Sequence, residues 1–154
     1  MDETDFSINL ALLPSDIAAV KQLCIEYANW LPVDLGFQDF NQELNDFPQG
    51  FVCLILAKQA GRPVGAVALK AHNKTTCEMK RLFVRPAAQG RGLGKLLSLH
   101  LMHEAKGLGY SEMILDSLKR LKPAVALYQG LGFTEIEPYN FNPEDDVVYM
   151  KRDL

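Results

Sequence analysis

The chain has 154 residues and a mass of 17.2 kDa, with 48% hydrophobic and 23% charged residues, so one domain spanning residues 1–154 with a sizeable core is expected. A formal net charge of −3 and a pI near 5.6 argue against a general nucleic-acid surface. Cys24, Cys53 and Cys77 are odd in number and widely spaced without any CxxC, which excludes a disulfide framework and a zinc knuckle as expectations and favours a reducing compartment. No stretch reaches the ~18 apolar residues of a membrane helix and no signal-like h-region follows Met1, so a soluble cytoplasmic protein with no membrane partner is expected.

In chain order the pattern is mixed α/β. SINLAL, residues 7–12, alternates as a strand; Leu13-Pro14-Ser15 breaks it, with Ser15 a candidate N-cap for a helix carrying Ile17, Val20, Leu23, Cys24 and Tyr27. That helix stops near Leu31-Pro32, and a second helix covers 39–46 before Pro48. FVCLILAK and PVGAVALKA flank Ala60-Gly61-Arg62 and predict an antiparallel hairpin, and CEMKRLFV at 77–84 supplies another strand. A helix from about Gly92 to Lys106 places Leu93, Leu97, Leu101 and Ala105 on one core-facing stripe. YSEMILD begins a further strand, PAVALY a further helix ended by Gly130 and Gly132, and FTEIEPY and VVYMKRDL the last two strands.

The stretch RPAAQGRGLGKLLSLHLMHEA, residues 85–105, places three glycines where that helix starts. Unobstructed N–H groups at a helix N-terminus bind anions. GRGLGK resembles a phosphate loop, but Leu96 follows the lysine where serine or threonine would hold magnesium, so an ATPase is not expected. GxGxxG cannot be laid across Gly90, Gly92 and Gly94, which removes the dinucleotide fingerprint. QxxGxG, from Gln89 to Gly94, remains.

The ordered pair CEMKRLFVRPAAQGRGLGKLL and LDSLKRLKPAVALYQGLGF closely resembles the GNAT superfamily of N-acetyltransferases, over most of the chain from the first strand through Phe133. The resemblance implies the acyl-CoA N-acyltransferase fold: a central mixed, mostly antiparallel sheet of about six to seven strands flanked by about four helices. Its fourth and fifth strands, at 78–84 and 110–116, would splay apart at a bulge around acetyl-CoA. On these residues, Gly90, Gly92, Leu93 and Gly94 would bring backbone N–H groups to the cofactor pyrophosphate, with Gln89, Arg91 and Lys95 adding longer donors. Leu82, Phe83 and Val84 would hydrogen-bond the pantetheine arm through their main chain, as an added strand does. Arg85, outside the loop, is the weaker ligand candidate of the two arginines.

The resemblance places Tyr128 beside the cofactor sulfur, to protonate or hydrogen-bond the departing thiolate; spacing alone favours a packed aromatic beside Leu127 and Phe133. Glu78 matches a carboxylate that deprotonates the acceptor, commonly through water, or else it pairs with Lys80 or Arg81. Main-chain N–H groups near Leu82 or Val84 would polarise the thioester carbonyl. Trp30 and Phe37 are the candidate acceptor-binding aromatics, with Asp34 between them, and the acceptor region extends to 139–146, where Asp145 and Asp146 read as solvated charges. Asp116, Ser117 and Lys119 occupy a ligand-facing strand end without an assigned role. His100 and His103 stand three apart without a third ligand, so no metal is expected. The reading is direct transfer of acetyl from acetyl-CoA to a small or amino-acid-like primary amine. Alternatives are a protein amine as acceptor, a non-catalytic acyl-CoA-binding protein, or an interaction protein. The resemblance is compatible with a homodimer.

Overall fold

The computed structural model of the chain describes residues 6–32 and 39–154. Along the chain run β1 (Phe6–Leu10), α1 (Pro14–Trp30), α2 (Phe40–Asp46), β2 (Cys53–Gln59), β3 (Arg62–Ala71), β4 (Thr76–Val84), α3 (Leu93–Gly107), β5 (Glu112–Leu118), α4 (Lys122–Gly130), β6 (Thr134–Ile136) and β7 (Val147–Asp153). The strands form one mixed sheet in the order β1-β2-β3-β4-β5-β7-β6, antiparallel everywhere except between β4 and β5.

Local chemistry accounts for most boundaries. The β2–β3 hairpin closes between Gln59 and Arg62, with Ala60 at φ 54° and Gly61 at φ 79°, the double positive-φ turn that matches strand twist. α1 starts two residues earlier than the serine cap predicts: Pro14 occupies its first turn, and extended Leu13 is the N-cap without a side-chain hydrogen bond. Proline's fixed φ and missing N–H suit that position, so the ring overrides the cap preference of Ser15. β6 is shorter than the predicted FTEIEPY strand, ending at Ile136 ahead of Pro138, which has no N–H to give a ladder.

The central strands β2 to β5 are buried on both faces over most of their length, and their period of two divides the core. On one face the α3 stripe of Leu93, Leu97, Leu101 and Ala105 packs with Ile55, Val67, Leu69, Met79, Met113, Leu115 and Tyr128. On the other, Val20, Leu23 and Cys24 of α1 pack with Leu54, Leu56, Ala66, Ala68 and Phe83. Cys77 and Met79, and likewise Met113 and Leu115, belong to the α3 face, so Glu78 of β4 and Asp116 of β5 point toward the α1 face.

β4 and β5 pair only through Thr76↔Glu112, Cys77↔Met113 and Glu78↔Ile114, after which the strands part. The cause lies in β4. Between the pairs Ala66↔Phe83 and Ala68↔Lys80, Val67 alone opposes Arg81 and Leu82, and Arg81 adopts φ 58°. This bulge turns β4 away from its parallel neighbour. The Arg81 side chain, 4% exposed, is engaged by Glu43 of α2 through Nε at 3.0 Å and Nη2 at 2.9 Å, and its guanidinium lies 5.2 Å from the centre of the Phe40 ring. At the end of β4, Arg85 makes a second two-pronged contact, to Glu26 of α1 at 2.8 and 2.7 Å, and also donates to the Pro63 carbonyl.

Glu43→Ala leaves the Arg81 charge buried without its carboxylate and is expected to lower stability by about 3 kcal/mol in urea unfolding. Gln42→Ala, one residue away on an exposed surface, is the control and should change stability by less than about 0.5 kcal/mol.

Candidate active site

Where β4 and β5 part, the sheet is crossed by a cavity of about 500 Å³. Of the residues singled out from the sequence, Trp30, Leu82, Phe83, Val84, Gln89, Gly90, Gly92, Leu93, Gly94, Lys95 and Tyr128 line it. Arg91 and Glu78 stand outside its wall, and Asp34 and Phe37 fall outside the described residues. Phe83 belongs to the α1-side core, whereas Leu93 and Tyr128 belong to the α3-side core, so the cavity joins the two faces of the sheet.

The glycine stretch folds as a short 3-10 turn at Pro86–Ala88, then a loop with Gly90 at φ 81° and Gly92 at φ 79° as the N-cap of α3. Both φ values are costly for any residue carrying a Cβ. The first-turn N–H groups of α3 have no carbonyl within the helix to bond, and the cavity runs past them at Leu93, Gly94 and Lys95. The Gln89 side-chain amide donates to the Val84 carbonyl at 2.9 Å, tying the loop back to the end of β4. Gly94 has a packing role that its motif position conceals: a Cβ there would meet Leu127 of α4 at 3.3 Å. Arg85, bound to Glu26 and Pro63, is a strut between elements.

Tyr128 lies on α4 at 8% exposure, its ring edge-on to Phe133 with centroids 6.0 Å apart. It is both the packed aromatic and a wall residue of the cavity. Burial, reinforced by the negative charge of Asp116, pushes its phenol well above the usual tyrosine range.

The chain matches the family model described as "Acetyltransferase (GNAT) family" over residues 18–133. The chain belongs to this family. An uncharacterised N-acetyltransferase of Schizosaccharomyces pombe is 38% identical to it, covering 100% of this chain and 98% of the relative. The fold of an acetyltransferase from Streptococcus agalactiae matches with a TM-score of 0.78 at 20% identity, over 97% of this chain and 98% of that one. That of yncA from Salmonella typhimurium, solved with its cofactor acetyl-CoA, matches with a TM-score of 0.72 at 19% identity, over 97% and 94%. The chain is thus an N-acetyltransferase with the GNAT fold, including the splayed fourth and fifth strands.

Within this GNAT site, several interactions escape sequence reading. Glu78, 7% exposed, accepts a hydrogen bond from the Tyr139 hydroxyl at 2.6 Å and has Lys80 Nζ at 3.7 Å. Of the two cations considered for it, Lys80 is beside it, while Arg81 is engaged by Glu43. The neighbouring Asn140 amide donates to Asp116 at 3.2 Å, and the Tyr149 hydroxyl donates to the Asn140 side-chain oxygen at 2.9 Å. The dipeptide Tyr139-Asn140 therefore bridges the diverging strands, one residue to each carboxylate. Burial and the charges of Asp116 and Glu78 hold the Tyr139 phenol far above its ordinary range, so it stays a donor. Asp146 is partly exposed, as a solvated charge would be, but it is paired: with Glu144 it binds Arg120, a wall residue of the cavity, at 2.7 to 2.9 Å. Asp116 and Ser117 also line the cavity. No local signal marks these contacts, because the partners come from the β6–β7 connection.

The cysteines carry no nucleophile. Burial pushes the thiols of Cys24 and Cys77 up to about 12 and that of Cys53 up to about 11. At pH 8 their thiolate fractions are on the order of one in a thousand or less, so native protein should resist iodoacetamide for hours while urea-unfolded protein takes up three labels, as counted by mass spectrometry. Fast native labelling at any one site would contradict the burial.

Proposed function

We propose that the chain transfers an acetyl group from acetyl-CoA to the primary amine of a small molecule by direct attack, as one domain. The observation that carries this reading is the cavity across the sheet, which brings the glycine loop at the start of α3 and Tyr128 of α4 to one space. The pyrophosphate would lie against the N–H groups at Leu93, Gly94 and Lys95, where glycine leaves the backbone open and a helix start favours negative charge. The pantetheine arm would run along Leu82, Phe83 and Val84, the part of β4 that has no β5 partner, taking main-chain hydrogen bonds as a substitute strand.

An alkylammonium acceptor must shed a proton before its nitrogen can attack. Glu78 is the proposed base. Set behind the cavity wall at the last paired position before the strands part, it would take that proton through water. The amine nitrogen then adds to the thioester carbonyl carbon, and the oxygen takes the negative charge against main-chain N–H groups near the bulge. Collapse breaks the C–S bond and the electron pair leaves on sulfur. The nitrogen sheds its second proton, and a proton reaches the sulfur, giving the amide and free CoA thiol.

Burial favours hydrogen bonding over outright protonation as the role of Tyr128. A thiol has a reference value near 8.5, below that of a phenol raised above 10, so the phenol steadies the growing thiolate and passes a proton only as one arrives from the nitrogen.

Calorimetry should find acetyl-CoA bound much more tightly than pantetheine, with ATP not bound; absence of an acetyl-CoA signal from folded protein would sink the reading. Tyr128→Phe should keep acetyl-CoA affinity and lower kcat by about 10²-fold or more. Because the folded phenol lies above its ordinary value, it remains protonated as pH rises through 10, and kcat should show no alkaline fall below that pH.

A further inference from the structure

The acceptor side of the cavity has its own chemistry. With the glycine loop and Tyr128 on the α3 side, the α1 face is left for the second reactant. There the wall has one aromatic part and one charged part. Tyr27, Trp30 and Phe83 form a three-ring cluster, with centroid separations of 6.5 Å for Tyr27–Trp30, 5.8 Å for Tyr27–Phe83 and 6.3 Å for Trp30–Phe83. Phe83 is buried, but Trp30 at the end of α1 is 50% exposed, so apolar ring surface faces the cavity uncovered.

The charges of this face cancel except at one place. Glu78 has Lys80, Glu43 has Arg81, and Arg120 is held by Glu144 and Asp146. Asp116 lines the cavity with a single neutral donor, Asn140, and has no cationic partner among the described residues. Burial raises the phenols of Tyr27 and Tyr149 on this face and of Tyr128 across the cavity, and the Asp116 charge, within reach of all three, adds to each. A carboxylate with a neutral donor and a polarised aromatic surround is complementary to one ammonium group.

We infer that the acceptor is a monocationic arylalkylamine, its ring laid on the Trp30, Tyr27 and Phe83 cluster and its ammonium group received by the Asp116 carboxylate. This rests on the acetyl-transfer reading above and narrows its acceptor. A polycation gains nothing from the remaining wall, which carries no second carboxylate among the described residues, while Glu78 behind it is already paired with Lys80. An alkylamine of equal charge leaves the exposed face of Trp30 in water. Desolvation of that ring surface and of the acceptor's own ring sets the preference, and one well-packed ring contact accounts for roughly 10-fold to 100-fold in kcat/KM.

The test uses the full chain with saturating acetyl-CoA and four acceptors, namely 2-phenylethylamine, n-butylamine, spermidine and glycinamide, with products followed by mass spectrometry. The expected result is a kcat/KM for 2-phenylethylamine at least about tenfold above each of the others. Trp30→Ala should erase that ratio, and Trp30→Phe should restore most of it; the side chain lies half in solvent, and thermal unfolding of each variant checks that the fold is kept. Asp116→Asn should raise the KM for 2-phenylethylamine more than tenfold. Equal or better use of n-butylamine or spermidine, or a preference that survives Trp30→Ala, overturns the inference. So does acetyl-CoA binding with no acetylation of 2-phenylethylamine, an outcome that leaves the cofactor reading standing. Failure to bind acetyl-CoA at all overturns both, and calorimetry separates the two cases.

Discussion

The site depends on a left-handed arginine in the middle of a strand. Arg81 at φ 58° costs roughly 1–2 kcal/mol of backbone strain in a residue with a Cβ, and the surroundings hold it there: two hydrogen bonds to Glu43 and the face of Phe40, all from α2. With the bulge in place, β4 leaves β5 after three paired residues. A sheet interior ordinarily satisfies its main chain strand against strand; here the stretch of β4 past Glu78 has no β5 partner. The ion pair and the opening are thus one feature seen from two elements.

The opening connects unlike environments. On the α3 side it meets a helix start and a buried phenol; on the α1 side it meets aromatic surface and the Asp116 carboxylate. The strand period of two makes this possible, because neighbouring residues of β4 and β5 serve opposite faces: Met79 packs under α3 while Glu78 bonds Tyr139, and Leu115 is core while Asp116 faces the cavity. Apolar packing and polar chemistry share two short strands without competing for the same positions.

What the sequence makes legible follows the range of the interactions. The α3 stripe repeats at helical spacing and is fully buried, the hairpin turn is written in adjacent residues, and the helix start is marked by glycines whose positive φ few other residues adopt. The splay and its bulge follow from resemblance to a family, and nothing in CEMKRLFV itself marks Arg81, since an arginine in the left-handed region looks like any other arginine. Its partner Glu43 is 38 residues away, and Tyr139 is 61 residues from Glu78. Asp116 is visible at a strand end, but its lack of a cationic partner among the described residues is a property of the whole face. Asp146 reads as a solvated charge near the C-terminus and is in fact shared with Arg120.

Gly94 gives the site a fixed gauge. Its absent side chain lets the first turn of α3 come within ordinary contact of Leu127, the residue before Tyr128, so the loop and the phenol are separated by two rigid helices in direct touch. A methyl group at that point would stand 3.3 Å from the end of the Leu127 side chain, which would have to give by a few tenths of an ångström within a packed wall. The spacing between the glycine loop and Tyr128 is therefore set where the backbone of one helix meets a leucine side chain of the other, a gauge that depends on both residues.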